Sequence, residues 1–343
     1  LETAVATFVA TPSAENMQAA KKAWLDAREP YGQTEVYRFR DGPIEAREGN
    51  INAWPLGEAV IDYVAVEVDG EANSGDAANI SAGNIIANTA DYPTITTDAI
   101  DSVFELEGDE SFVTTGYHAI EFMFWGQEGK RSAHDFFPQE NTAPVPINDT
   151  EESAHSHQIQ ETADYRDSLH IPQNHNRRRQ YTKLLSDLLQ KDLHRIQRRW
   201  EPSSGYYAQL LQQSSAENTL QAAFIAGQRF ISEELLQKRF QLNSSEFSNS
   251  SPQDILALLT GLESWYWPKE EDQQEASLGF LMQQADEKIA ADFLQSLIAS
   301  KKCIANMTAS DDEINQCKQD TISLLSNLRR AANSLNVALP ALD

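Results

Sequence analysis

Residues 114–127 of the chain read TTGYHAIEFMFWGQ. From Tyr117 to Trp125, every residue except His118 and Glu121 is apolar or small. A helix that is apolar on all sides is a buried helix, whereas a surface helix keeps one polar face. The two exceptions are three residues apart, so on a helix they lie on the same face with Cβ atoms about 5–6 Å apart. The stretch therefore predicts a buried helix that carries an ionisable pair into the protein interior.

Two interpretations of the His118–Glu121 pair are open. Burying an ionisable pair costs several kcal/mol per ion unless partners satisfy it, so the pair either forms a hydrogen bond within the core or binds a metal ion. The spacing is not the His-Glu-x-x-His of zinc peptidases. It also reverses the Glu-x-x-His order of di-iron bundles. One His-x-x-Glu supplies two ligands, and further ligands must come from elsewhere in the chain.

The motif Gly116-x-His118-x-x-Glu121 resembles the Gly-x-His-x-x-Glu signature of the imelysin family, and in particular its iron-regulated bacterial members. Three further stretches agree with that family: residues 27–39 (AREPYGQTEVYRF), 51–56 (INAWPL) and 177–181 (RRRQY). The resemblance extends from Ala19 to the C-terminus and is most specific in the first half.

The resemblance implies an all-α fold of two related helical bundles packed together, with the functional site between them. It also implies an exported protein of the cell envelope, in the periplasm or held on the periplasmic side of the outer membrane by a lipid on an N-terminal cysteine. The chain contains no such cysteine, no initiator Met and no signal peptide, so we expect a mature or trimmed form whose signal has been removed.

The chain order predicts three parts: an N-terminal helical bundle over residues 1–137, a long polar loop over 138–176, and a C-terminal bundle over 177–343. No convincing strand is present. Apolar spacing and turn signals predict helices that are listed here by residue number: a first helix ending at Pro30, then 33–39, 55–68, 81–90, 97–107, 176–200, 214–240, 273–302 and 311–337. The loop is rich in His, Glu and Pro, and it is either a metal-gathering segment or a solvated linker.

The charge of the chain restricts its partners. The formal net charge is −25, with 52 acidic and 27 basic residues, which disfavours nucleic acid and anionic membrane surfaces as partners. The arginines of the basic helix (Arg177–Arg179, Arg195, Arg198, Arg199) are expected to balance acidic neighbours. We expect a metal ion or metal chelate as ligand, envelope iron-transport proteins as partners, and membrane contact only through the absent lipid anchor.

Other candidate site residues lie outside the central motif. Glu35, among aromatic residues, is the best candidate for a further metal ligand, although a salt bridge to Arg28 or Arg38 is the ordinary alternative. Gly227 and Arg229 stand where the family has Gly-x-Arg.

Residues 247–254 (FSNSSPQD) resemble a family segment Phe-Ser-Asp-Asn-Thr-His-x-Asp, which adds Ser248, Asn249 and Asp254 as candidates. Asn249 replaces an acid and Pro252 replaces a histidine there, so any site that relatives build from those two residues is altered. Gly57 likewise stands where the family pattern has an aspartate.

Two cysteines, Cys303 and Cys317, flank a predicted helix–helix turn near the C-terminus. We predict a disulfide between them in the exported protein, because the region of Asp311 and Asp312 can turn one helix back on the next. The bridge would indicate an oxidising compartment, and two free thiols are the alternative.

The sequence alone leaves three functions open. The first is an envelope metal-binding protein that serves iron uptake and binds iron or zinc through His118, Glu121 and Glu35, since imidazole and carboxylate suit both metals. The second is a metallopeptidase, the activity for which the family is named. It requires three protein ligands, a water position and a general base, so the sequence favours a protein without enzymatic activity. The third is a ligand-binding bundle with a structural His–Glu pair.

Overall fold

The structure, a computed structural model, describes residues 1–40, 42–62, 84–138, 174–241, 243–269, 271–308 and 310–342. No β-strand occurs among these residues, which confirms the all-α prediction. The α-helices of the described residues are α1 (Glu2–Ala10), α2 (Ala14–Thr34), α3 (Glu48–Ile51), α4 (Glu58–Ile61), α5 (Thr97–Val103), α6 (Gly116–Trp125), α7 (His175–Trp200), α8 (Tyr206–Gln213), α9 (Ala216–Arg229), α10 (Ser251–Tyr266), α11 (Glu271–Gln274), α12 (Leu278–Ala285), α13 (Glu287–Ala305) and α14 (Asp311–Ser334).

Tighter and wider helical turns connect several of these helices. The 3₁₀ segments are Glu35–Arg40, Glu45–Arg47, Leu106–Gly108, Gln127–Gly129 and Ala133–Phe136, and a π-helix spans Phe230–Arg239. Among the described residues, none of the helices combines the length and the apolar character that crossing a membrane would require.

The chain folds into two compact units, each made of two stretches. The first comprises Leu1–Asp26 and Glu48–His194, and the second comprises Ala27–Arg47 and Arg195–Asp343. The sequence division at residues 137 and 177 treated each bundle as one continuous stretch. The sequence alone does not assign residues 27–47 to the second unit, because that assignment depends on contacts between residues far apart in the chain.

The core of the first unit surrounds α6, whose residues from Gly116 to Phe124 are all buried. Phe8 of α1 packs edge-on against Phe124 and Phe136, with ring centroids 5.9 and 4.9 Å apart. The Trp24 indole of α2 donates a hydrogen bond to the Tyr117 carbonyl at 2.9 Å. The all-apolar composition of α6 is therefore explained by neighbours on several sides.

The core of the second unit is built from α9, α10, α13 and α14. In α14 the buried residues recur at intervals of three or four, as an amphipathic helix requires: they are Cys317, Thr321, Leu324, Leu325, Leu328, Ala331 and Ala332. The aromatic ring of Tyr266 on α10 lies 5.1 Å from that of Phe293 on α13. The helical periodicity of the sequence thus corresponds to one packed interior.

Several predicted helices have different bounds in the structure. The described part of 55–68 contains α4 (Glu58–Ile61), α5 ends at Val103 within 97–107, and 33–39 is divided between the end of α2 and a 3₁₀ segment. The first predicted helix was expected to end at Pro30, but α2 continues through Pro30 to Thr34. Proline lacks the N–H that would bond the carbonyl four residues earlier. That carbonyl belongs to Asp26, which is exposed, so water can take the place of the missing donor. The predicted helix 214–240 changes at Phe230 from α to π geometry.

The predicted helix 81–90 is wrong over its described part. Residues 84–92 form turns, in which the Asn84 side chain accepts from the Ala87 N–H at 2.9 Å and the Asn88 side chain accepts from the Asp91 N–H at 3.1 Å. Asparagine side chains that bond nearby backbone groups compete with a helix in this way. The Arg177 guanidinium also binds carbonyls of this segment, including that of Ile86 at 2.7 Å.

The predicted helix 273–302 is also wrong as one helix. It is divided into α11, α12 and α13, because Ser277 and Asp286 each act as an N-cap and accept a backbone N–H bond. Such caps begin a new helix.

Candidate functional site

The N-terminus of α6 requires a glycine. Gly116 has φ +89°, and a Cβ atom there would lie 2.6 Å from the Ile51 carbonyl oxygen. L-residues rarely adopt such a φ, and no other side chain fits beside the α3 backbone. The glycine of the Gly-x-His-x-x-Glu motif thus serves the packing of α6 against α3, one turn before the polar pair.

His118 and Glu121 meet inside the first unit, as their spacing predicts. The distance from His118 Nδ1 to Glu121 Oε2 is 2.8 Å, and both side chains are fully buried. The indole of Trp54 stands edge-on to the imidazole, with ring centroids 5.1 Å apart. The pair is therefore held in a fixed orientation by a short hydrogen bond and an aromatic neighbour.

The hydrogen bond determines which imidazole nitrogen can bind a cation. An ionised carboxylate only accepts hydrogen bonds, so beside ionised Glu121 the His118 Nδ1 is the donor. In the neutral ring the lone pair then belongs to Nε2. A carboxylate that orients a histidine through its other nitrogen is the usual arrangement behind metal-ligating histidines. The same geometry also serves as a plain core hydrogen bond.

The donor atoms of His118 and Glu121 suit iron or zinc, but these two residues do not supply a complete set of ligands. Imidazole nitrogen and carboxylate oxygen are ligands for both metals. Structural zinc sites take four protein ligands and catalytic sites three. Within the described ranges, no group of three or more His, Cys, Asp and Glu side chains is placed to hold a metal ion. In this geometry His118 would supply one ligand through Nε2, while Glu121 would orient the imidazole through Nδ1.

Glu35, the third predicted metal ligand, lies in the second unit and takes part in a buried ionic network. Arg38 Nε is 3.5 Å from Glu35 Oε2 and 3.6 Å from Glu45 Oε2, while Arg38 Nη2 donates to Glu234. Arg239 Nε donates to the other oxygen of Glu234 at 2.6 Å. The ordinary alternative for Glu35, a salt bridge to Arg38, is thus present in the structure.

Glu234, like Arg239 and Glu45, was not among the candidates from the sequence. Burial by itself raises the pKa of its carboxyl, but the charges of Arg239 and Arg38 outweigh that effect and lower it. Glu234 and Arg239 are five residues apart, a spacing that faces one side in a π-helix and not in an α-helix. Looking for charged pairs three or four residues apart, the spacings of an α-helix, therefore does not reveal this contact.

Arg28 and Asp254, both candidate site residues, form a buried salt bridge in the second unit. Arg28 Nη2 lies 2.8 Å from Asp254 Oδ2, and the Ser245 hydroxyl donates to the same oxygen at 2.5 Å. Burial raises the pKa of Asp254, but the Arg28 charge and hydrogen bond outweigh it, so the pKa is lowered. Asp254 therefore remains an anion held by a cation, as in a structural ion pair.

The other candidates of the second unit differ in environment. Arg229 pairs with Glu233 one turn ahead at 3.1 Å, and both side chains are partly exposed. Ser248 shares a hydrogen bond with the Ser250 hydroxyl at 2.7 Å. Asn249 has φ +55°, which asparagine tolerates better than most residues. The residue that replaces an acid of the family pattern thus occupies a turn position.

A second buried ionic cluster lies in the first unit and was not identified from the sequence. Asp62 accepts from Arg131 Nη1 at 2.6 Å and from Arg178 Nε at 2.7 Å, and all three side chains are buried. Burial alone would raise the pKa of Asp62, but the charges of Arg178 and Arg131 outweigh it and lower the pKa to about 2. Arg178 belongs to the RRRQY stretch, so this family-like motif serves a salt bridge.

The histidines of the predicted loop fall mostly on residues 139–173, which lie outside the described residues. His175 is the first residue of α7, with its Nδ1 3.2 Å from the Phe137 carbonyl oxygen. Burial, and after it the Arg178 charge, lowers the pKa of His175 to about 4. His175 is therefore neutral near pH 7 beside a cationic cluster.

Cys303 on α13 and Cys317 on α14 are joined by a disulfide, with Cα atoms 5.4 Å apart. The bridge closes the turn between the two helices. Beside it lies a cavity of about 380 Å³ that is lined by, among others, Lys302, Met307 and Glu313.

Comparisons with known proteins agree with this fold. The model of the family described as Imelysin, Peptidase_M75, matches residues 1–335. An iron-regulated protein A from Synechococcus elongatus is 38% identical over 56 residues, a match that spans 16% of each protein. The crystal structure of a protein described as an iron-regulated protein A precursor from Parabacteroides distasonis aligns with a TM-score of 0.61 at 13% identity, covering 97% of this chain and 87% of that one. At that identity the structural match shows the fold alone.

Proposed function

The chain belongs to the imelysin family, and on this premise we propose that it is a metal-binding protein of the cell envelope that serves iron uptake. His118 and Glu121 are the residues that we assign to the cation. The ligand is iron or zinc, as a free ion or as a chelate that brings ligands of its own, and envelope iron-transport proteins are the partners.

The observation that carries the proposal is the buried His118–Glu121 hydrogen bond at 2.8 Å. Its geometry directs one imidazole nitrogen to the carboxylate and leaves the other as the basic nitrogen of the ring. The names of the relatives support a link to iron at the level of regulation, since both are called iron-regulated. The disulfide Cys303–Cys317 supports an oxidising compartment, such as the periplasm.

The test is calorimetric titration of the apo-protein with Zn²⁺ and, without oxygen, with Fe²⁺. We expect His118→Ala to abolish measurable affinity with helix content unchanged by circular dichroism. Glu121→Gln keeps a hydrogen-bond acceptor but removes the charge, and it should weaken binding by about 10–100-fold. His134→Ala is the matched control, because His134 is in the same unit but outside the pair, with its ring centroid 4.4 Å from that of Phe137.

The structural interpretation predicts the opposite result. If the pair is only a core hydrogen bond, His118→Ala leaves a buried carboxylate without its partner and costs about 3–5 kcal/mol of stability. Stability would then fall, and metal would not alter it. Unchanged iron and zinc affinity in His118→Ala would remove this residue from the site and contradict the proposal.

The pH dependence gives an independent check. A protonated imidazole cannot bind a metal ion, so we expect affinity to weaken as the pH is lowered below about 6.5. Affinity that is constant between pH 7.5 and pH 5.5, on the order of a hundredfold in proton activity, would show that no imidazole ligates.

A metallopeptidase is the second candidate, favoured by the designation of the family as Peptidase_M75. Such an enzyme needs a third protein ligand, an open position for water and a general base, which His118 and Glu121 do not supply by themselves. The test is mass-spectrometric detection of hydrolysis products from a peptide library with and without added Zn²⁺. Cleavage that is lost in His118→Ala would establish the peptidase.

A further inference from the structure

The C-terminal end of α7 and the helix that follows it reverse the charge of the chain. The protein has 52 acidic and 27 basic residues, yet residues 195–216 (RIQRRWEPSSGYYAQLLQQSSA) contain three arginines and one glutamate. Helix α8 within this segment carries no charged residue. The segment is a local exception to the acidic character of the protein.

The arginines at the end of α7 do not balance acidic neighbours within the described part of the chain. Arg198 and Arg199 are exposed, and neither forms an ion pair with a described residue. The expectation that they neutralise nearby carboxylates therefore does not apply to these two. Their side chains are exposed to solvent.

A tight turn places the aromatic residues beside these arginines. The Gly205 N–H bonds the Glu201 carbonyl at 2.7 Å, and a Cβ atom at Gly205 would lie 2.5 Å from the Arg199 carbonyl oxygen. The ring of Trp200 lies 6.0 Å from that of Tyr207. Because only a glycine permits this close approach, the end of α7 and the start of α8 form one fixed corner.

Helix α8 presents apolar side chains to solvent. Tyr206 is 54% exposed, Leu210 is 42% exposed and Leu211 is 39% exposed. Tyr206 and Leu210 are four residues apart, so they lie on the same face. Ala208 is the buried residue of this helix. A short helix that exposes three large apolar side chains next to two arginines is unusual for a surface in contact with water alone.

We propose that this corner, residues 198–211, is a membrane-contact surface that binds anionic phospholipid headgroups. Tryptophan and tyrosine are suited to a membrane interface because one end of each side chain is apolar and the other is polar. Leucines enter the apolar boundary, and arginines keep their charged ends at the headgroups. Each arginine near an anionic surface adds electrostatic attraction to the headgroups.

The net charge of −25 opposes such contact at long range but not at short range. Salt screens charges over a Debye length of about 8 Å at physiological ionic strength. Residues 195–216 contain three arginines and the single glutamate Glu201, so the charge nearest to the lipid is net positive. The binding is therefore weak, reversible and sensitive to salt, and it differs from the expectation drawn from net charge alone.

The experiment is co-sedimentation with vesicles of phosphatidylcholine mixed with phosphatidylglycerol, with phosphatidylcholine vesicles as the neutral comparison. We expect binding to the anionic vesicles that falls at least about tenfold in Arg198→Gln/Arg199→Gln and also falls in Leu210→Ser/Leu211→Ser. The matched control is Ile298→Ser/Ile322→Ser, which removes two exposed apolar side chains elsewhere, 51% and 45% exposed. All substituted residues are on the surface, and circular dichroism checks that each variant is folded.

The possible results distinguish anionic lipid from a second copy of the chain as the occupant of this surface. Binding that weakens in the corner variants, and weakens further with added salt, supports the proposal. It is overturned if the protein does not bind anionic vesicles, if it binds neutral vesicles equally, or if the corner variants bind like the control. Sedimentation velocity is the second measurement: a dimer that is lost in Leu210→Ser/Leu211→Ser would assign the surface to a second copy and also overturn the lipid proposal.

Discussion

Replacement of Gly116 by alanine should destabilise the first unit and displace the helix that carries His118. The structure predicts two separate costs. Gly116 has φ +89°, and holding an L-residue in such a conformation costs about 1–3 kcal/mol. The new Cβ atom would also lie 2.6 Å from the Ile51 oxygen and 2.9 Å from the Asn50 oxygen, and inserting a methyl group into a packed interior costs about 1–3 kcal/mol.

The matched control is Gly108→Ala. Gly108 has a similar φ of +82°, but a Cβ atom there would meet nothing within 4 Å. This variant therefore pays only the backbone cost of about 1–3 kcal/mol. Both substitutions restrict the unfolded chain equally, so that contribution cancels in the difference. The difference between the variants measures the close approach of α6 to α3.

The assay is urea unfolding followed by circular dichroism, with Zn²⁺ titration of each folded variant. We expect Gly116→Ala to lose about 2–6 kcal/mol in total and about 1–3 kcal/mol more than Gly108→Ala. It should also bind metal more weakly, because the backbone that positions His118 must shift. If the two variants are equally stable, the close approach of α3 does not constrain Gly116, and our explanation of the motif glycine is incorrect.

Three further predictions concern the ionic clusters and the disulfide. The pKa of Asp62 is lowered from 3.8 to about 2, so its ionised form stabilises the fold above pH 4. About 2 kcal/mol of the free energy of unfolding should be lost as the pH falls toward 2. Asp62→Asn should lack this part of the acid sensitivity in urea titrations across that range. Arg239→Gln should cost about 3 kcal/mol, because it removes a partner of the buried glutamate in the π-helix, whereas exposed Lys238→Gln should cost less than about 1 kcal/mol in the same unfolding assay. Non-reduced protein should give no alkylation at Cys303 or Cys317 by mass spectrometry, and two alkylated thiols would contradict the bridge.

The extent to which the site could be predicted depended on sequence separation. His118 and Glu121 are three residues apart, and helical periodicity alone places them together. Asp62 and Arg178 are 116 residues apart, and no local pattern relates them. Their pairing is decided by how α7 packs near the end of α4, so the sequence could identify Arg178 only as part of a basic run.

The helices, too, were predicted well only where local sequence determines them. α7 and α14 were predicted nearly to their ends, because a long amphipathic repeat outweighs other local preferences. Residues 84–92 were predicted as helix, but the side chains of Asn84 and Asn88 bond the backbone locally and Arg177 binds the carbonyls of this segment. Some of these competing bonds come from α7, which is distant in the chain, so the spacing of apolar residues gives no sign of them.

The sequence by itself determined the all-α class, the buried character of α6 and the His118–Glu121 pair, since each depends on residues within a few helical turns. The tertiary structure decided the rest: why Gly116 must be glycine, which cations hold Glu35 and Asp254, and which arginines remain without ion pairs among the described residues. These features depend on distances between side chains that are far apart in the chain. Burial and Coulomb energies change steeply over a few ångströms, and only the folded backbone sets those distances.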